Sequence, residues 1–186
     1  MIMSENLDNP EHVAQRFINT DKNINSSEEA ISGACDIIAE WISEKENVRR
    51  ILRRMFKQSA SIVSKVVKSK LEDAAKYDTY HDYQELANRS AAHRVLAMLR
   101  GEAEGLLKVK IQPDADEAFS VLSHRLIKNN NEAAQLKGIA LKDSIKRLLF
   151  PSLENEFRTE LKLKADESSI NVFAENLKQL LLAPPL

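Results

Sequence analysis

A single cysteine, four glycines, five prolines and only 5% aromatic residues leave this 186-residue sequence short of the features that mark many functional classes. One thiol, Cys35, cannot close an internal disulfide. The N-terminus does not combine basic residues, a long apolar run and a small-residue cleavage site, so a reducing, cytoplasmic setting is expected. The longest near-apolar stretches, such as Leu180 to Pro185, fall far short of the ~20 residues that a membrane span needs.

The four glycines, Gly33, Gly101, Gly105 and Gly138, are too scattered to form a phosphate loop, in which several must cluster so that backbone N–H groups can approach the anion. His12, His81, His93 and His124 lie far apart, and none belongs to a ligand pair of zinc-site spacing. Cys35 falls on the apolar face of an expected helix with no adjacent cation to lower its pKa, which suits a small core residue better than a catalytic thiol. Asp114, Asp116 and Glu117 resemble half a calcium loop but lack its central glycine and distal glutamate, and they read more simply as acids in the first turn of a helix. No Ser-His-Asp arrangement is recognisable. The sequence therefore implies no enzyme, no metal, no cofactor and no small-molecule substrate.

What is present is helical material. The composition is 43% hydrophobic and 30% charged, enough for a core built on Leu, Ile, Val and Ala, and a chain of this size buries roughly 70% of its unfolded surface. The expected fold is mainly α, a multi-helix assembly with a few short strands. Residues 1–8 are expected to be disordered. Asn9-Pro10-Glu11 has the form of an N-cap, a first-turn proline and a first-turn acid, opening a helix to about Asn19. Ser26 and Glu29 make a capping box for a helix with Ile31, Ala34, Cys35, Ile38, Trp41 and Ile42 inward. Further helices are expected from Ser90 to about Arg100 (Val95, Leu96 and Leu99 inward), from Ala115 to Leu126, and from an Asn129–Asn131 cap to Phe150 (Leu141, Ile145 and Leu148 inward). Pro151 then starts a helix bearing Leu153, Phe157 and Leu161, and Asp166 caps a last one bearing Ile170, Phe173, Leu177, Leu180 and Leu181. Residues 60–67, 76–83 and 106–111 suit short strands, the last through strict alternation. Ala183-Pro184-Pro185 reads as the start of an interdomain linker. The body, 9–182, is either one compact piece or two lobes, 9–112 and 113–182.

Charge is unevenly spread. The net charge is −1, yet Glu46 to Lys70 holds eight Lys or Arg and one acid. Placed at 100° steps on a helix, Arg49, Arg50, Arg53, Arg54 and Lys57 span about 140° of one side, and Val48, Ile51, Leu52, Met55 and Phe56 take the other. This strip, followed by Lys65, Lys68 and Lys70, is the candidate nucleic-acid-binding set, since such side chains gain affinity by displacing phosphate counterions. A solvated helix face or an intramolecular partner for the acidic remainder is the structural alternative.

Several stretches resemble the central region of the bacterial Tex transcription-accessory family: CDIIAEWIS (35–43), VSKVVKSK (63–70), HRVLAMLRGEAEGLLKV (93–109), KRLLFPSLENEFRTELK (146–162) and AENLKQLLLAPP (174–185). The likeness covers nearly the whole chain from Asp8 onward. Ala92 departs from it, standing where the family usually has Ser before the His-Arg pair, and this moves the expected helix cap to Ser90. The resemblance implies a helical region of helix-turn-helix character that precedes nuclease-like, helix-hairpin-helix and S1 domains absent here. It implies nucleic acid, RNA or DNA, as a partner of the full-length protein, together with the transcription machinery. The clearest nucleic-acid contacts are expected in the S1 domain, so the resemblance assigns no binding residue to this chain. A remoter likeness to a eukaryotic histone-binding elongation factor points the same way. The expected function is a non-catalytic module contributing to nucleic-acid binding and domain orientation; the rival is a scaffold contacting RNA polymerase or neighbouring domains.

Overall fold

The structure, a computed structural model, describes residues 1–7 and 9–182. It is mainly α, with seven α-helices and one three-stranded antiparallel sheet among the described residues. The chain divides into two compact units, each made of two stretches: residues 1–55 with 114–153, and residues 56–113 with those from 154 onward. The linker expected at Ala183-Pro184-Pro185 lies outside the described residues. No described helix is long and apolar enough to cross a membrane.

In the first unit, α1 (Pro10–Ala14) opens as expected, with Asn9 Oδ1 accepting the His12 amide at 2.9 Å. It passes at Gln15 into a 3-10 turn rather than running on to Asn19. Helix α2 (Ser27–Glu44) starts at the expected capping box: Ser26 Oγ accepts from the Glu29 amide, and Glu29 reaches back to the Asn25 amide. Its apolar stripe is narrower than periodicity implies. Ile38, Ala39 and Ile42 are buried, whereas Trp41 is 54% exposed. Trp41→Ala is therefore expected to cost about 1 kcal/mol, well below the 3–5 kcal/mol of a core aromatic. Because Trp41 is the chain's one tryptophan, red-shifted emission that acrylamide quenches freely would check this placement; a blue, protected spectrum would refute it.

Lys45 alone separates α2 from α3 (Glu46–Ser59), whose Val48, Leu52, Met55 and Phe56 are buried. Helix α5 (Ala115–Leu126) is capped by Asp114, whose carboxylate accepts the amides of Asp116 and Glu117. The acidic cluster is thus a helix start. Helix α6 (Glu132–Asp143) is capped by Asn131. A π turn over Ser144–Leu149 then carries the chain into α7 (Phe150–Leu181) without a break. Pro151 does not start a new helix. The wider turn ahead of it relieves the crowding between a proline ring and the carbonyl four residues back, which also lacks an N–H partner there. The extra residue in the turn shifts the inward position from the expected Leu148 to Leu149, beside Ile145.

Residues 1–7 belong to the segment expected to be disordered, yet Glu5 is 3% exposed. Its carboxylate accepts the amides of Lys128 and Asn129 (3.0 and 2.6 Å) and the Lys137 ammonium (2.8 Å), and its carbonyl accepts from Asn131 Nδ2.

In the second unit, β1 (Ser61–Val66) lies between β2 (Asp82–Leu86) and β3 (Leu107–Gln112). The first and third strands fall where expected. The second is displaced: most of 76–83 is a 3-10 segment, Ala75–Tyr80, and pairing begins at Asp82. One sheet face, with Ile62, Val109 and Ile111, is buried, and α4 (Ala92–Ala103) contributes Val95 and Met98 to the same core. Ser90 does not cap α4; its hydroxyl donates to Glu85, which also takes a forked pair of hydrogen bonds from Arg94. Gly101 lets α4 approach Leu107, where an added Cβ would meet Leu107 Cδ1 at 2.6 Å. Past the helix end, Gly105 turns the chain away with a φ of +69° that suits glycine.

Helix α7 is one 32-residue element. Leu153, Phe157, Leu161 and Ala165 are buried, but Asp166 caps nothing, and Ile170, Phe173, Leu177, Leu180 and Leu181, expected inside, are all exposed. The i, i+3, i+7 spacing announces an apolar face but not what covers it.

Candidate nucleic-acid interface

The nominated cations occupy two settings. On α3, Arg50 and Arg54 are exposed and Arg49 and Arg53 half-buried, opposite the buried Val48, Leu52 and Met55. This is the two-sided helix expected from 100° periodicity. Part of the strip is engaged within the chain. Arg49 donates to Ser152 Oγ (3.0 Å) and Arg50 to Asn47 Oδ1 (2.5 Å); in the second unit, Lys57 pairs with Glu160 at 2.9 Å. That last pair is more than half exposed on both sides, so it contributes little to stability and opens readily to a competing anion.

Lys65 projects from the solvent face of β1, while Lys68 and Lys70 follow that strand's end in a 3-10 turn; all three are exposed. The register adds two lysines that the sequence alone did not single out. Lys65 stands directly opposite Lys108 of β3, and Lys110 opposite Val63. Both β3 lysines are exposed. Their signal was visible only as the polar half of an alternating strand, because cross-strand neighbours depend on pairing.

Two side chains of types that can serve catalysis have structural partners. Cys35 is half-buried with Sγ 3.8 Å from the Leu136 carbonyl, and burial, aided by the neighbouring Asp36 charge, pushes its thiol pKa up. His81 Nε2 lies 2.9 Å from the Ala74 carbonyl. No group of three or more His, Cys, Asp or Glu among the described residues is placed to hold a metal ion. The first unit carries an apolar groove of about 530 Å³ along Phe17, Ile37 and Trp41, in which Glu29, already committed to the α2 cap, is the one charged side chain among the described lining residues.

Against known proteins, residues 5–173 match the family model described as Tex central region-like. The chain belongs to this Tex family. It is 41% identical over 175 residues to YdcI of Bacillus subtilis, covering 93% of this chain and 24% of that protein. It is 33% identical over 193 residues to the transcriptional accessory protein Tex of Neisseria gonorrhoeae, covering all of this chain and 25% of that protein. A more distant relative is the human S1 RNA-binding domain-containing protein 1, 28% identical over 180 residues, with 89% of this chain and 18% of that protein covered. The chain thus spans about a quarter of the length of the bacterial Tex relatives.

Proposed function

We propose that this Tex region is a non-catalytic module of a nucleic-acid-associated transcription accessory protein, adding phosphate contacts through the arginine strip of α3. The observation that carries this is exposure: none of the eight nominated cations is buried. Arginine suits the role because its planar fork can grip a phosphate at two points, and Arg50 and Arg54 present theirs to solvent. Binding of this kind recognises charge and positions a strand without reading bases. Names of relatives that refer to transcription and to an RNA-binding S1 domain support the setting rather than the residues.

The scaffold reading keeps two specific observations in its favour, the Lys57–Glu160 pair and the Arg49–Ser152 bond, which occupy part of the cationic set internally. A filter-binding titration of the 186-residue chain with DNA and RNA separates the two. Affinity is expected to fall at least ~10-fold between 50 and 200 mM salt, and the combined Arg49→Glu, Arg50→Glu, Arg53→Glu and Arg54→Glu variant should lose at least as much at the lower salt. Absence of binding by the parent chain would leave the scaffold.

A further inference from the structure

Lysines on a sheet have an ordinary explanation: they blunt an exposed edge strand against pairing with another chain. That explanation does not reach the lysines of this sheet. Lys65 is on β1, the central strand, which has no free edge. Lys108 and Lys110 are on the edge strand β3, but three outward backbone groups at its centre are already bonded. The Val109 amide donates to Glu102 (3.1 Å), the Ile111 amide to Glu154 (2.7 Å), and the Val109 carbonyl accepts from Arg158 (2.7 Å). The lysines also impose a cost, since Lys65 and Lys108 are directly opposed like charges, an arrangement that destabilises a strand pair. Asp82 faces Lys65 from the other side, on β2, and offsets one of the charges.

We propose that this solvent face, with Lys65, Lys108 and Lys110 at its centre and Lys68 and Lys70 at the end of β1, docks the phosphate backbone of duplex nucleic acid. The occupant is a polyanion because a row of linked anionic groups can meet the opposed lysines and Lys110, Lys68 and Lys70 together, turning repulsion into attraction across the patch. It is a duplex because this face carries no ring to stack on an unpaired base. The strand residues sharing it with the lysines are Ser61, Val63, Asp82, Gln84, Leu86 and Gln112, whereas single-strand binders rely on aromatic platforms. A duplex presents its phosphates outward and needs only charge at matched spacing; Lys108 and Lys110, two residues apart on one strand, are separated by about 6.8 Å. Binding is independent of sequence. The inference rests on the proposed nucleic-acid association but assigns it a second set of residues, on the sheet of the second unit.

The test is fluorescence anisotropy of the full chain with a labelled mixed-sequence DNA duplex, its single strand as comparison, and poly-glutamate as competitor. The triple variant Lys65→Gln, Lys108→Gln, Lys110→Gln should weaken duplex binding at least ~10-fold and lower the slope of log K against log salt by about 3, roughly one per lysine. The triple Lys→Arg variant should retain the parent slope, and the Gln variant should melt no lower than the parent, because it removes a repulsion. Unchanged duplex binding by the Gln variant, with binding lost in the α3 arginine variant, overturns the sheet surface and leaves the functional proposal standing. No binding of either the duplex or the single strand by the parent removes both. Tighter binding of the single strand, or poly-glutamate competing as well as duplex at equal charge, overturns the assignment to a duplex.

Discussion

Replacing Glu5 by alanine is expected to destabilise the first unit by about 3–5 kcal/mol. The magnitude follows from what would be left behind. The Lys137 side chain is 8% exposed and that of Glu5 2% exposed, and they meet at 2.8 Å. Without the carboxylate, a buried ammonium and the amides of Lys128 and Asn129 lose their acceptor at once. Removing one partner of such a pair costs more than removing both, so Glu5→Ala combined with Lys137→Met should recover much of the loss. Urea unfolding of the parent, single and double variants checks this; equal midpoints for parent and Glu5→Ala would mean the N-terminal segment is not held. The pair also sets an acid limit. Burial by itself raises the Glu5 pKa, but the Lys137 ammonium and the amides of Asn129 and Lys128 outweigh it and hold the carboxyl below its ordinary value. A carboxylate depressed in the folded state stabilises fully above its unfolded pKa, and that stability is lost as pH falls through the folded value. The parent should therefore lose stability below about pH 4 more steeply than the double variant.

Arg158→Ala is expected to cost the second unit about 2–4 kcal/mol and to promote self-association. Arg158 joins the Glu102 and Glu154 carboxylates and the Val109 carbonyl, and the same carboxylates receive the Val109 and Ile111 amides. Losing the guanidinium leaves two partly buried acids side by side and opens one rim of the sheet. Arg158→Lys should not restore the parent, because a single ammonium cannot serve three acceptors in fixed directions. Thermal melting with light scattering reads both effects; a variant that melts with the parent and scatters no more than it would show the rim to be closed by other means.

These two clusters mark where sequence stops being informative. The two-sided character of α3, the caps at Asn9, Ser26 and Asn131, and the alternation of β3 are local patterns, and each appears in the fold. Glu5 finds its partners more than 120 residues away, and no spacing rule connects them. Asp166 resembles a cap, but Leu161 to Ala165 are strong helix formers, and an interior aspartate costs only tenths of a kcal/mol, so α7 runs through it. Beyond that point periodicity identified Ile170, Phe173 and Leu177 correctly as a stripe and wrongly as interior. The α3 half of the candidate interface was legible from charge and helical phase. Lys108 and Lys110 were not, because only strand register sets them beside Lys65.

The interleaving of the two units bears on how the polypeptide emerges from a ribosome. The stretch 56–113 contains all three strands and α4, so the strands can pair with one another while the helices of 114–153 are still unsynthesised, and only the outer rim of β3 waits for Glu154 and Arg158. The earlier segment, 1–55, must wait for them, with Glu5 and α2 lacking their contacts on α6 until then. Vectorial synthesis thus favours closure of the later-starting β layer before the helical body that begins the chain, and no single cut in the polypeptide can release either unit intact.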